Sequence, residues 1–80
     1  MKNLSYEEFE NEVKKELKSY YYFRTKTLKE IDAICKSEDG VDFIEDGYEM
    51  YQGYEEETPE ASNNLSAAVN ATVYNMYMWF

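Results

Sequence analysis

The sequence lacks the residues on which most small enzymes depend. Its 80 residues include no histidine and a single cysteine, Cys35. Without histidine, the most common general base near neutral pH is missing. The sequence also contains no glycine-rich phosphate loop, no Gly-x-Ser-x-Gly elbow and no Cys/His pairing. We therefore expect a non-enzymatic protein with no catalytic residues and no cofactor.

Further absences indicate in which cellular compartment the protein is found and whether it binds a metal ion. A chain with one cysteine forms no internal disulfide, so Cys35 is best explained as a small buried apolar residue. The first residues, MKNLSYEEFE, lack the apolar core of a signal peptide, and no apolar run approaches the roughly 20 residues that span a bilayer. The acidic segment DGVDFIEDGYE does not have the spacing of a calcium-binding loop. We expect a cytoplasmic protein without a metal site or membrane contact.

Positive charge is missing from the second half of the chain. All eight basic residues lie at or before Lys36, where they are accompanied by seven acidic residues. From Ser37 onward there are ten acidic residues and no basic ones, so this half accounts for the net charge of −9. A surface of this kind repels nucleic acids and anionic membranes. A partner that is selected by charge should therefore be basic.

A long amphipathic helix is predicted from about residue 6 to residue 35. Ser5 and Glu8 have the spacing of a capping box, and acidic residues follow in the first turn. Apolar residues then recur at helical spacing, which predicts that Leu17 and Leu28 are buried. The segment SYYYFRTKT is rich in aromatic and β-branched residues, so a bend is expected there. The sequence KSEDG then supplies a turn that ends the helix.

The connection from residue 37 to residue 57 is compatible with three structures. Asp46-Gly47 lies between two alternating segments, VDFIE and YEMYQ, which favours a β-hairpin. The residues that would then share one face are Val41, Phe43, Tyr48 and Met50. A helix capped by Asp39 is the second possibility, with Gly47 and Gly53 weakening it. Its apolar stripe would contain Val41, Ile44, Tyr48 and Tyr51. The third possibility is an irregular or disordered loop.

A second helix is predicted from about residue 59 to residue 78. Thr58 suits the N-cap and Pro59 the first helical position. The stripe at three- and four-residue steps contains Leu65, Ala68, Val69, Thr72, Val73, Met76, Tyr77 and Phe80. The tail TVYNMYMWF also has strand propensity. The predicted fold class is mainly α, with two amphipathic helices in one domain of residues 1–80. A small α+β fold is the alternative if the connection forms a hairpin.

The candidate binding segment is the part of the connection where carboxylates and tyrosines are interleaved. Carboxylates on one face of a strand or a helix recur at about 5–7 Å, so they can meet lysines and arginines that normally hold phosphates. Tyrosine adds a flat ring that carries a hydroxyl. We expect contact with a basic, nucleic-acid-binding protein. The predicted contact residues are Glu45, Asp46, Glu49, Tyr51, Tyr54, Glu55, Glu56 and Glu57.

The acids from Glu38 to Glu60, together with Tyr48, Tyr51 and Tyr54, also carry a resemblance. In size and composition the chain resembles the short acidic DNA-mimic inhibitors of phages and mobile elements, anti-CRISPR proteins among them. The resemblance implies a protein in the cytoplasm of a bacterial host. It would block the nucleic-acid-binding surface of a host defence or DNA-processing protein, for instance a CRISPR effector nuclease. The alternative is a structural or regulatory module whose amphipathic helices bind a partner or a second copy.

Overall fold

The computed structural model of the protein describes residues 3–80 and contains four α-helices. These are α1 (Tyr6–Ser19), α2 (Leu28–Lys36), α3 (Glu38–Glu57) and α4 (Asn64–Trp79). The mainly helical class is confirmed, whereas the arrangement of only two helices is wrong. Within the described part of the chain there is no strand, and no helix is both long and apolar enough to cross a membrane.

The predicted helix over residues 6–35 is two helices separated by a turn. Its start is correct, because Ser5 and Glu8 form the capping box with bonds of 2.8 and 3.2 Å. The chain leaves helical geometry at Tyr20, which has φ −74° and ψ 133°. A second capping box, made by Thr27 and Glu30, then starts α2. Aromatic and β-branched residues favour the helix interior only weakly, so the local cap prevails over the longer periodicity.

This break changes which side chains are internal. Residues 21–26 form turns that bury Phe23 completely. Leu17 is fully buried as predicted, but Leu28, which was also predicted to be buried, is 71% exposed at the start of α2. The prediction for Leu28 assumed that the helical phase continued through residues 20–27, and the turn resets that phase.

Helix α3 includes nearly all of the connection, residues 37–57, for which the sequence was compatible with three structures. Ser37 ends α2 and also starts α3, since its N–H donates to the Ile34 carbonyl and its hydroxyl accepts the Gly40 N–H at 3.1 Å. The helix continues through Asp46-Gly47, so the hairpin prediction is wrong and the helical alternative is the structure that forms, although its N-cap is Ser37 and not Asp39 as predicted. No described glycine has a positive φ. Gly47 serves packing instead, because a Cβ there would overlap the Thr72 hydroxyl of α4.

Helix α4 begins at Asn64, and the predicted start near residue 59 is wrong. Thr58 caps the end of α3, with its N–H and hydroxyl both donating to the Tyr54 carbonyl at 2.8 and 3.1 Å. Because α3 extends to Glu57, Thr58 is no longer free to start the next helix. Pro59 and Glu60 turn the chain instead, with Glu60 at φ 59°.

One hydrophobic cluster joins the four helices and the turn. Its buried members are Phe9, Val13, Leu17, Phe23, Ile31, Cys35, Ile44, Tyr51, Ala68, Val69, Val73 and Met76. The longest interface lies between α3 and α4, and α1 packs against the other three helices. This packing fixes which face of α3 is turned outward.

Candidate functional site

Helix α3 places most of its carboxylates on one face and most of its buried residues on the other, although carboxylates and tyrosines are interleaved in its sequence. Its buried residues are Gly40, Ile44, Gly47, Tyr51 and Glu55. They recur at three- and four-residue steps and therefore lie on one face. The opposite face carries eight exposed carboxylates, here named the acidic row: Glu38, Asp39, Asp42, Glu45, Asp46, Glu49, Glu56 and Glu57. The helix thus turns a mixed sequence into a surface of a single charge.

Two of the α3 tyrosines stabilise the fold instead of facing outward. The Tyr51 hydroxyl accepts the Leu4 N–H at 3.2 Å, and the Tyr48 hydroxyl donates to the Leu4 carbonyl at 2.9 Å. Both rings pack on Phe9, with centroids 5.9 Å away for Tyr51 and 5.7 Å for Tyr48. Tyr51, a predicted contact residue, is only 5% exposed and lies in the core. Tyr54 is 36% exposed and remains accessible.

Glu55 is the second predicted contact residue that lies inside the fold. It is 9% exposed. Its carboxylate accepts hydrogen bonds from the Asn64 side-chain amide at 2.5 Å and from the Glu60 N–H at 3.2 Å. The Asn64 amide also donates to the Thr58 carbonyl. Glu55 therefore ties the turn between α3 and α4 together. The five other predicted carboxylates, Glu45, Asp46, Glu49, Glu56 and Glu57, are all exposed in the acidic row.

The acidic row has a regular geometry because α3 is unbroken over 20 residues. Steps of three, four or seven residues return to the same side of a helix. One line contains Glu38, Asp42, Glu45, Glu49 and Glu56. Asp39, Asp46 and Glu57 lie beside this line. At about 1.5 Å of rise per residue, the row is about 28 Å long and carries on average roughly one charge per 4 Å. A strand of DNA carries one charge per about 3.4 Å of helix axis.

The ion pairs of the described chain lie away from the acidic row. Within residues 3–80 they join α1 and α2 or lie inside one of these two helices, and none includes a carboxylate of the acidic row. Lys14 pairs with Asp32 at 2.6 Å, Lys36 pairs with Glu10 at 3.0 Å, and Lys15 pairs with Glu12 at 3.2 Å. The bond from Lys14 holds the pKa of Asp32 below its usual value. The acidic row is therefore left without neutralising partners in the described part of the chain.

Tyr6 lies close enough to the acidic row for the charge of Glu45 to contribute to its pKa. Burial, together with the charges of Glu10 and Glu45, raises the pKa of Tyr6 above its usual value. Tyr6 lines a shallow groove beside the row with Glu45, Glu49 and Gln52. The groove is open and polar, and it offers hydrogen-bond acceptors next to ring surface.

A second exposed surface lies where the turn after α1 meets the end of α4. It was not predicted from the sequence. We name it the aromatic end: Tyr20, Tyr21, Tyr22, Tyr77, Trp79 and Phe80. Tyr77 packs against Tyr20 and Tyr22 with centroids 5.5 and 5.3 Å apart. Tyr21 is 79% exposed. The sequence signal was present in YYYF and YMWF, but helical periodicity assigned Tyr77 and Phe80 to the core stripe.

A reactive thiol and a metal site are two other kinds of site to consider among the described residues. Burial raises the pKa of the Cys35 thiol to about 11, so it is protonated near neutral pH and inaccessible. Within residues 3–80 no group of three or more acidic, cysteine or histidine side chains has the geometry to hold a metal ion.

Comparison with known proteins finds no matching family model, no matching curated protein and no matching solved structure.

Proposed function

We propose that the protein is a non-enzymatic binding protein that occupies the nucleic-acid-binding surface of a basic partner through its acidic row. The observation that supports this most strongly is the row itself. Eight exposed carboxylates lie on one uninterrupted helix, with no ion pair to any of them among the described residues. Their linear density is close to that of the phosphates in one DNA strand.

The row suits a groove that normally binds phosphates. Such a groove presents lysines and arginines along a line, and these cations release their counterions when a matching anion binds. Carboxylates three and four residues apart on a helix lie about 5–6 Å from each other, so successive cations can each meet one. The row therefore competes with nucleic acid for the same cations, without binding nucleic acid directly.

This proposal places the protein among inhibitors of phage or mobile-element type that act in the cytoplasm of a bacterial host. The target would be a host defence or DNA-processing protein, of which a CRISPR effector nuclease is one example. The alternative was a module that binds through the apolar stripes of its helices. Those stripes pack against each other in the core, and the apolar surface that remains exposed lies mainly at the aromatic end, with Leu28, Tyr74 and Met78 exposed outside it.

Removing charge from the row should weaken binding more than removing it elsewhere. The test variant replaces Glu45, Glu49 and Glu56, all on one line of α3, with glutamine. The control variant replaces Glu7, Glu12 and Glu16 of α1 with glutamine. Both variants have a net charge of −6 in place of −9, so any difference reflects position and not total charge. We expect the α3 variant to lose roughly tenfold or more in affinity, and its binding to depend less on salt.

The measurement is a competition. Proteins retained from a bacterial lysate by the immobilised chain are eluted with salt, and each is bound to a fluorescent DNA duplex. Titrating the chain into this complex should release the duplex, seen as a fall in anisotropy. If a retained protein holds the duplex and the chain together, mimicry of nucleic acid is wrong. Equal losses in the α1 and α3 variants would also contradict the proposal, because the row would then have no special role.

A further inference from the structure

Trp79, at the end of α4, lies beside the first turn of α3. Its indole N–H donates a 3.0 Å hydrogen bond to Oδ2 of Asp39. The Phe43 ring packs edge-on against the indole, with centroids 6.1 Å apart. Trp79 is nevertheless 63% exposed. A carboxylate and a largely exposed indole ring are thus held side by side at the surface.

The Asp39 carboxylate has acceptor capacity left. It lies in the first turn of α3, where the helix dipole favours negative charge. Among residues 3–80 the indole N–H is its one hydrogen-bond donor, and no lysine or arginine pairs with it. A carboxylate accepts up to about four hydrogen bonds. Asp39 is exposed, so its acceptor capacity remains available to a donor from outside the described chain.

The same aromatic end already holds one guanidinium group. The Cζ atom of Arg24 lies 4.8 Å from the centroid of the Tyr21 ring. The Tyr22 hydroxyl donates to the Phe80 carbonyl at 3.2 Å, which connects this turn to the segment that carries Trp79. Tryptophan is a better ring than tyrosine for stacking a cation. Trp79, which should stack a cation more strongly than Tyr21, therefore has no cation of the described chain over its ring.

We propose that Trp79 and Asp39 bind an arginine side chain of the basic partner. The guanidinium plane stacks on the exposed indole face, and its N–H groups donate to the Asp39 carboxylate. This inference rests on the proposed function, because a basic groove supplies the arginine. Asp39 also belongs to the acidic row, so the site is continuous with the surface that attracts such a groove.

The geometry selects arginine over lysine. A guanidinium is planar and weakly hydrated, so it stacks on a ring while its edge donates to a carboxylate. The ammonium group of lysine is compact and strongly hydrated. It has no flat face, so it cannot stack on the indole while an edge donates to the carboxylate. The row attracts either cation by charge, whereas this site adds a preference for one of them.

The test uses the fluorescence of Trp79, the only tryptophan in the chain. The probe is acetyl-Gly-Arg-Gly-Arg-Gly-amide, compared with the same peptide carrying lysines. Titration into the full chain should change the Trp79 emission, with an affinity for the arginine peptide about fivefold higher. Asp39→Asn keeps an oxygen for the indole N–H but removes the charge, and it should lower affinity about tenfold.

Asp46→Asn is the matched control, since it makes the same change about 10 Å further along the row. It should lower affinity less than about twofold. Emission that stays constant at saturating arginine peptide would overturn the proposal, as would equal losses in the two variants or equal affinity for the lysine peptide. Emission that changes with protein concentration alone would overturn it too, because a second copy would then cover Trp79. Failure here leaves the DNA competition unaffected, since the α3 glutamine variant keeps both Trp79 and Asp39.

Discussion

Replacing Leu17 with alanine should lower the free energy of unfolding by about 3 kcal/mol. Leu17 is fully buried in the cluster that joins α1 to the rest of the fold. The substitution removes apolar surface from the core and leaves a cavity that the neighbouring helices fill only in part. A domain of 80 residues has a total stability of about 4–12 kcal/mol, so the loss is a large share of it. Urea denaturation followed by circular dichroism measures the change.

Leu28→Ala is the matched control for this prediction. It makes the same chemical change in a side chain that is 71% exposed, so the expected loss is within about 0.5 kcal/mol. The pair distinguishes the broken helix from a continuous one, because a continuous helix would bury both leucines. Comparable losses for the two variants would contradict the turn at residues 20–27. A loss below about 0.5 kcal/mol for Leu17→Ala would contradict the core itself.

Replacing Gly47 with alanine should destabilise the protein by about 2 kcal/mol, although alanine is the better helix former by about 1 kcal/mol. The added Cβ would overlap the Thr72 hydroxyl and lie 3.3 Å from a Phe9 ring carbon. Thr72 is buried and donates a 2.7 Å hydrogen bond to the Ala68 carbonyl, so it cannot move away freely. The midpoint of thermal unfolding, Tm, should fall by about 8–16 °C.

Gly53→Ala is the control on the same helix. A Cβ at Gly53 meets no atom within 4 Å, so only helix propensity acts and Tm should rise by about 4–8 °C. In a Thr72→Ala background, most of the cost of Gly47→Ala should disappear, because the obstructing hydroxyl is gone. Stabilisation by Gly47→Ala in the wild-type background would show that α3 and α4 are not in close contact at this point.

The helical class and the cap at the start of α1 could be predicted from local sequence. The capping box at Ser5 and Glu8 forms as predicted, because its bonds involve only neighbouring residues. The same local signal exists at Thr27 and Glu30 and locates the start of α2. This second capping box conflicts with the apolar periodicity, which by chance continues through the turn between α1 and α2 and favours a single helix. A second capping box inside a predicted helix is therefore evidence for two helices.

The structure of residues 38–57 depended on contacts that are distant in the sequence. Asp46-Gly47 is a strong turn signal by itself. The decisive contact joins Gly47 to Thr72, 25 residues further along, and the tyrosine hydroxyls of α3 bond to Leu4. Neither contact is visible in a local pattern. The same long-range packing buries Tyr51 and Glu55 and leaves the other predicted carboxylates outside. Most of the surface charge could therefore be predicted from sequence, but the burial of Glu55 and the positions of the rings could not.

Ser37 has a consequence for the cost of binding. This single residue is all that separates α2 from α3, and a Cβ at Gly40 would overlap the Ile34 carbonyl across the joint. No flexible linker therefore allows α3 to change its orientation relative to α2. The carboxylates are therefore held in line before a partner arrives, and little backbone entropy is lost on association. A disordered acidic tail of the same composition would lose that entropy at every encounter.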